Sequence, residues 1–252
     1  MREGKQDESA VTPAGEPGWR LPSWIALCVG LLLLIGTSMV GELVTSRGAA
    51  GTGELAFSVD LSKDRNPIGV VLSQSISTVL GPIMTPVLVL VSCVFLWRRN
   101  ARLTAALLPV LAAFGWLASG VVKRVVNRGR PPSDVVNAVL LENAPDSFPS
   151  GHTALTTAVF AALVTIAWML RRRFIERVWI TVVGVLVVGV VAASRLYLGV
   201  HYLYDVLAAP LVAIGGVLVA AYLVPRLMLL LAGRSTRAAG WLDSVTRPGP
   251  PS

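Results

Sequence analysis

Both histidines of the chain, His152 and His201, stand among residues that handle anions. His152 closes the run Pro149-Ser150-Gly151-His152, while His201 lies six residues after Arg195 and four before Asp205. A further pair of cations, Lys123 and Arg130, is spaced seven apart. On a helix His201 and Asp205 share a face. Asp205 can then accept from one ring nitrogen and leave the other as a lone pair, the arrangement of an oriented nucleophile. His152, arriving on another segment, is free to serve as the acid. Lys123, Arg130 and Arg195 lack a matching set of carboxylates and would repel one another unless an anion lay between them; guanidinium groups suit phosphate oxygens bidentately. Ser150 and Gly151 stand just before an apolar run, so a hydroxyl and a backbone N–H meet the positive end of a helix dipole, where anions bind. The chemistry these types imply is attack on a phosphoryl group.

Each residue also has a plainer reading. Lys123 and Arg130 fit interfacial anchors, Ser150 fits a helix cap, either histidine fits a hydrogen-bonded structural role, and Asp205 could merely neutralise Arg195. Trp24, Trp97, Trp168 and Trp179 sit near the ends of apolar runs and read as interfacial belt aromatics. The joint pattern outweighs the single readings only if the segments converge, so the elements that carry them decide the matter.

Of 252 residues, 54% are hydrophobic and 14% charged, with a mean hydropathy of +0.68. A soluble domain carries about a quarter charged residues, so most of this chain must face lipid. Six runs are free of Asp, Glu, Lys and Arg: Leu21–Gly41, Asn66–Trp97, Leu103–Val122, Thr153–Leu170, Val178–Ser194 and Val206–Pro225. Each is long enough to cross a hydrocarbon core that takes about 17–25 helical residues. The expected architecture is all-α, an integral membrane bundle of six transmembrane helices over residues 21–232. The second run is too long for one straight helix; a polar or surface start near Asn66 and a bend around Gly81, Pro82 and Pro86 are expected. Residues 1–20 and 233–252 read as tails, and Cys28 and Cys93, in apolar runs, as core residues.

Alternation of six spans puts the ends of spans three and five and the starts of spans four and six on one face, which is where all the polar residues above fall. With cytoplasmic termini, 14 of the 22 basic residues, including the Arg171–Arg173 run, lie inside. The positive-inside rule therefore places the polar cluster on the extracytoplasmic face. The net charge of +8 is an orientation signal and an attraction to anionic lipid, and no basic stripe with interleaved aromatics suggests nucleic acid.

Lys123 with Arg130-Pro131, then Pro149-Ser150-Gly151-His152, then Ser194-Arg195 with His201 and Asp205, together resemble the three-part signature of the type 2 phosphatidic acid phosphatase superfamily, in its membrane lipid phosphatase branch. The resemblance covers Leu103–Pro225 and is without a departure. It implies that His201 attacks phosphorus to form a phosphohistidine, that Asp205 holds and stabilises the ring, and that His152 protonates the leaving oxygen and then assists water. It further implies that Lys123, Arg130, Ser150, Gly151 and Arg195 bind the phosphate oxygens, with no metal and no cofactor. The expected partners are a lipid phosphate or diphosphate substrate, such as a polyprenyl diphosphate or polyprenyl sugar phosphate, and the surrounding membrane lipids. A phosphotransferase using the same nucleophile and a non-catalytic lipid-phosphate binder or transporter are the alternatives; oligomeric state is not legible. The segment Pro132–Phe148 reads either as a lid over the pocket or as a passive loop, and no substrate clue attaches to the first two spans.

Overall fold

The computed structural model describes residues 20–142, 144–234 and 240. Its elements are α1 (Trp24–Gly51), α2 (Glu54–Lys63), α3 (Pro67–Val79), α4 (Met84–Arg98), α5 (Arg102–Val126), α6 (Gly151–Met169), α7 (Phe174–Tyr197) and α8 (Leu203–Arg234). Helices α1, α5, α6, α7 and α8 are long and apolar enough to cross a membrane, and the bent pair α3–α4 makes a sixth span if taken as one. The all-helical six-span expectation stands.

The long second run breaks where the glycine and proline fall. Helix α3 starts on Pro67, with the Asn66 side chain accepting the Gly69 N–H at 2.8 Å, a favourable cap with proline in the first turn. The chain then bends by 53° between Val79 and Met84. Asn66 therefore opens a helix directly, not a polar loop.

Two expectations need correction. Helix α1 does not end near Gly41 but continues through Glu42 and Arg47 to a kink at Gly48, φ 68°, beyond which a last turn reaches Gly51; hydropathy marks where a helix leaves lipid, whereas backbone hydrogen bonding continues it beyond. The cysteines divide: Cys93 is half-buried and packs against the core, whereas Cys28 is exposed, on a helix whose apolar residues largely face outward. In a membrane an apolar run does not say which side of the helix meets protein. The four tryptophans are all exposed near helix ends, as an interfacial belt requires. Of the expected tails, only Arg20, Gly233, Arg234 and Gly240 lie among the described residues, and α8 runs two residues beyond the expected end of the membrane unit.

Helix α8 is the centre of the bundle, packing on α1, α5 and α6, with α4 against α5 and α7 against α6 and α3. Small residues let the backbones approach. A Cβ at Gly115 of α5 would lie 2.8 Å from both Ala158 Cβ and Val217 Cγ2, and one at Gly30 of α1 would lie 2.8 Å from the Gly215 carbonyl of α8. Association of helices in lipid relies on this close packing because apolar burial adds little there. Around it Leu107, Leu111, Ala154, Ala158, Ile166, Ala213 and Val217 form the buried core. The consequence for function is a rigid set of helix ends.

Candidate active site

The polar residues gather at one end of the bundle. Lys123 lies in the last turn of α5, Arg130 in the α5–α6 connection, Ser150 and Gly151 at the start of α6, Arg195 in the last turn of α7, and Asp205 in the first turn of α8. Helix α5 stops because Asn127 takes a left-handed conformation, φ 45°, as a C-terminal cap does. The connection then folds back on itself, with Ser147 N–H donating to the Arg128 carbonyl at 2.7 Å.

His201 is 2% exposed, in the short link between α7 and α8. Its Nδ1 lies 3.4 Å from Asp205 Oδ2 and its Nε2 3.3 Å from Arg130 Nη1. These partners assign the proton to Nδ1 and a lone pair to Nε2, because Arg130 can only donate. Asp205 is fully buried and works on several fronts. Its Oδ2 accepts from Tyr202 N–H at 2.8 Å and from the Ser147 hydroxyl, and its Oδ1 accepts from Arg128 at 2.8 Å. Accepting from the residue just before α8, it also caps that helix. Burial pushes the His201 ring down to about 4, and the Asp205 carboxylate offsets this only in part. The ring is therefore neutral and carries its lone pair across the neutral range.

The two guanidinium groups close on a single carboxylate. Glu142 accepts from Arg130 Nη2 at 3.2 Å and from Arg195 Nη2. Burial alone would raise its carboxyl, but Arg195 and Arg130 outweigh that and hold it below the usual carboxylate range. Arg130 is further fixed by the Ala144 carbonyl at 2.7 Å and the Val200 carbonyl at 2.8 Å. Arg195, 1% exposed, donates to the Ser77 hydroxyl of α3, while its Nε has no hydrogen-bond partner. The arginine that Asp205 could have neutralised is thus paired elsewhere. Lys123 Nζ donates to the carbonyls of Asp146 at 2.9 Å and Ser147 at 3.3 Å.

Ser150 sits at the N-cap position but its side chain caps nothing; its Oγ accepts from Thr153 Oγ1 at 3.1 Å, and its N–H donates to the Asp205 carbonyl at 2.9 Å. Gly151 opens α6, where a Cβ would meet Lys123 Cε at 3.9 Å. His152 Nε2 lies 3.2 Å from where a Gly81 Cβ would stand, at the break between α3 and α4, and interacts electrostatically with Arg195, Glu142, His201 and Arg130. All eight expected residues therefore come to one end of the bundle.

Sequence reasoning missed Ser77, Glu142, Ser147, Arg128 and Glu54. The broken second span is not a bystander, since Ser77 holds Arg195 and Gly81 makes room for His152. The 132–148 segment is anchored: Arg65 donates to the carbonyls of Val136, at 3.0 Å, and Asn137, and Val139 N–H donates to the Leu198 carbonyl at 3.0 Å. A carboxylate in a loop facing three unpaired cations was the available signal for Glu142; nothing in the spacing pointed to Glu54 or Ser77. Among the described residues no group of three or more His, Cys, Asp or Glu could hold a metal ion.

Comparison with known proteins bears on the family and the fold. An undecaprenyl-diphosphatase of Sulfolobus acidocaldarius is 29% identical over 194 residues, which cover 73% of this chain and 82% of that relative. A solved transmembrane PAP2-type phosphatidylglycerolphosphate phosphatase of Bacillus subtilis superposes with a TM-score of 0.61 over 85% of this chain and 98% of its own, at 19% identity, which shows a common fold. The family profile of the PAP2 superfamily matches residues 103–229, half of the 252, and takes in every one of the eight site residues. By that match the chain belongs to the PAP2 superfamily.

Proposed function

We propose that this chain is a membrane lipid phosphatase that removes a terminal phosphate from a lipid phosphate or diphosphate at the extracytoplasmic face, through a phosphohistidine on His201. One observation carries the reading. Two guanidinium groups from separate segments close on an oxyanion, the Glu142 carboxylate, beside the Nε2 lone pair of a buried imidazole whose Nδ1 faces Asp205. A phosphoryl group in place of that carboxylate would lie against the nucleophile.

In the first step Nε2 attacks phosphorus, the bond from phosphorus to the leaving oxygen breaks, and His152 gives that oxygen its proton. Arg130, Arg195, Lys123, the Ser150 hydroxyl and the Gly151 N–H hold the equatorial oxygens, and Asp205 balances the ring as it becomes cationic. In the second step water attacks phosphorus, His152 takes the water proton, and the P–N bond breaks. The cations supply the electrostatic stabilisation that a metal supplies elsewhere. The names of the two similar proteins support a lipid-linked substrate, and a site at the end of a membrane bundle suits a headgroup whose tail stays in lipid. A polyprenyl diphosphate or polyprenyl sugar phosphate is the favoured class, and the distribution of arginines supports the extracytoplasmic orientation.

The test is phosphate release by the purified full chain over polyprenyl diphosphate, polyprenyl sugar phosphate, phosphatidylglycerol phosphate and phosphatidic acid. Turnover of at least one, undiminished by EDTA and inhibited by vanadate, is expected. No release from any of them, or phosphate moving to an acceptor other than water, contradicts the reading.

Two further results are expected. Glu142→Gln keeps the size but removes the charge competing for Arg130 and Arg195. Charge-assisted hydrogen bonds are worth about 1.5–3 kcal/mol, so inorganic phosphate and vanadate should inhibit this variant about 10-fold more strongly. An unchanged inhibition constant would mean that the carboxylate does not stand in the anion position. As to pH, attack needs neutral His201, and its depressed value keeps it neutral until the pH falls through about 4. The acid limb of kcat/KM, which reports the free enzyme, should therefore lie near pH 4. A profile with its acid limb above pH 6 would contradict the burial argument.

A further inference from the structure

Behind Asp205, on the side away from His201, lies a second set of buried charges that are not themselves residues of the three-part signature. Arg128 is 4% exposed and Glu54, the first residue of α2, 2% exposed. Arg128 donates through Nη1 to Asp205 Oδ1 at 2.8 Å and to Glu54 Oε1 at 3.4 Å, and through Nη2 to Glu54 Oε2 at 2.5 Å. Its guanidinium lies over the Tyr202 ring at 4.5 Å, and Glu54 Oε1 also accepts the Tyr204 N–H of α8 at 2.8 Å.

We infer that Glu54 and Arg128 are positioning residues for the nucleophile: Arg128 fixes Asp205 so that Oδ2 faces His201, and Glu54 fixes Arg128 while cancelling its charge. The inference rests on His201 being the nucleophile, as proposed above. Stability alone is a weak reason for such a cluster, because buried ion networks are often no more stabilising than apolar residues of the same volume. The charge balance gives a better one. Arg128 alone would neutralise Asp205 and leave nothing to favour a cationic ring. With Glu54 the three groups carry one net negative charge, which matches the positive charge that His201 acquires on attacking phosphorus. The connection between α1 and α3, which carries no signature residue, thereby reaches the reacting centre through two hydrogen-bonded side chains.

The other groups facing His201 are fixed across the comparison. They are Ser147, Arg130 and Glu142 from the α5–α6 connection, Arg195 on α7 and His152 on α6, with Lys123 on α5 interacting with Arg130 and Asp205. A change confined to Glu54 or Arg128 therefore reads the field at Asp205.

The experiment uses the full chain in lipid nanodiscs and measures phosphate release, thermal midpoint and ring titration by NMR. With two histidines in the chain, selective labelling gives two ring signals, and loss of one in His201→Ala assigns His201. Glu54→Gln should lower kcat about 10- to 100-fold, the range for removing a partner that orients a working ligand. KM should change less than about 2-fold, since the phosphate-binding cations stay in place. His201 should titrate at lower pH, because uncompensated Arg128 then opposes a cationic ring. Glu54→Asp, which keeps the charge, should restore most of kcat. The double variant Glu54→Gln/Arg128→Met removes both charges. It should recover thermal midpoint relative to Glu54→Gln, keep a low kcat because Asp205 has lost its anchor, and move the His201 titration back up toward that of the parent, since Asp205 alone again carries one net negative charge.

That opposite movement is what a structural role does not produce. If kcat follows the thermal midpoint through all variants, or the His201 titration stays put, the inference is wrong. A parent that releases phosphate with Glu54→Gln equally active overturns this inference and leaves the proposed function standing; a parent that releases none overturns both.

Discussion

Alanine at position 201 is expected to lower phosphate release by about 10⁴-fold or more, the scale seen when a nucleophile or its base is removed. The protein should nonetheless remain folded. His201 makes only long contacts, 3.4 Å to Asp205 and to Ser147 and 3.3 Å to Arg130. Asp205 keeps Arg128, Ser147 and the Tyr202 N–H without it, so no buried carboxylate is stranded. Phosphate and vanadate should still bind, because Arg130, Arg195 and Lys123 are unchanged. The separation of a collapsed kcat from retained anion binding is the signature, read by single-turnover rate and by inhibitor titration on the same sample. Residual turnover within about 10-fold of the parent would remove His201 from the chemistry.

Asp205→Asn should be nearly as damaging, by about 10³- to 10⁴-fold in kcat, with little loss of anion binding. Both carboxylate oxygens face donors: Arg128 on Oδ1, and Tyr202 N–H with the Ser147 hydroxyl on Oδ2. An amide supplies one acceptor in place of two. If its NH₂ faces His201, it loses the Tyr202 N–H bond, and the imidazole must accept at Nδ1 and carry its proton on Nε2, so the lone pair turns away from phosphorus. If it faces Arg128, two donors meet in a buried place, at a cost of about 1–3 kcal/mol or more for a charged group. The first orientation suits the stronger pairing with Arg128, so a folded, anion-binding protein with the wrong tautomer is the expected product. Histidine nitrogen shifts distinguish the two ring forms, and a variant with normal turnover would contradict the orienting role.

Much of this was legible in the sequence because membrane crossing is a one-dimensional property. The apolar runs at 103–122, 153–170 and 206–225 each became a helix, and alternation placed Lys123, His152, Arg195 and Asp205 at one end. The bend at Gly81 and Pro82 was equally readable, since those residues remove backbone options locally. Depth along the membrane normal does not report lateral neighbours. Cys28 lies in as apolar a run as Ala158, yet the first is exposed and the second fully buried. Helix α2 was missed because its ten residues mix Glu54, Asp60 and Lys63 with apolar positions and match no span. Glu54 finds Arg128 74 positions away, Ser77 finds Arg195 118 positions away and Ser147 finds Asp205 58 positions away. No local periodicity encodes such pairings.

The central claim is that phosphorus passes through a covalent bond to His201. Rapid acid-free quenching of the parent with lipid substrate labelled in its terminal phosphate, followed by peptide mapping, tests it most directly. The expected result is a label that survives alkali, is lost in acid, and sits on the peptide carrying His201. Label on any other side chain, or steady turnover with no protein-bound phosphate at any quench time, would contradict the account.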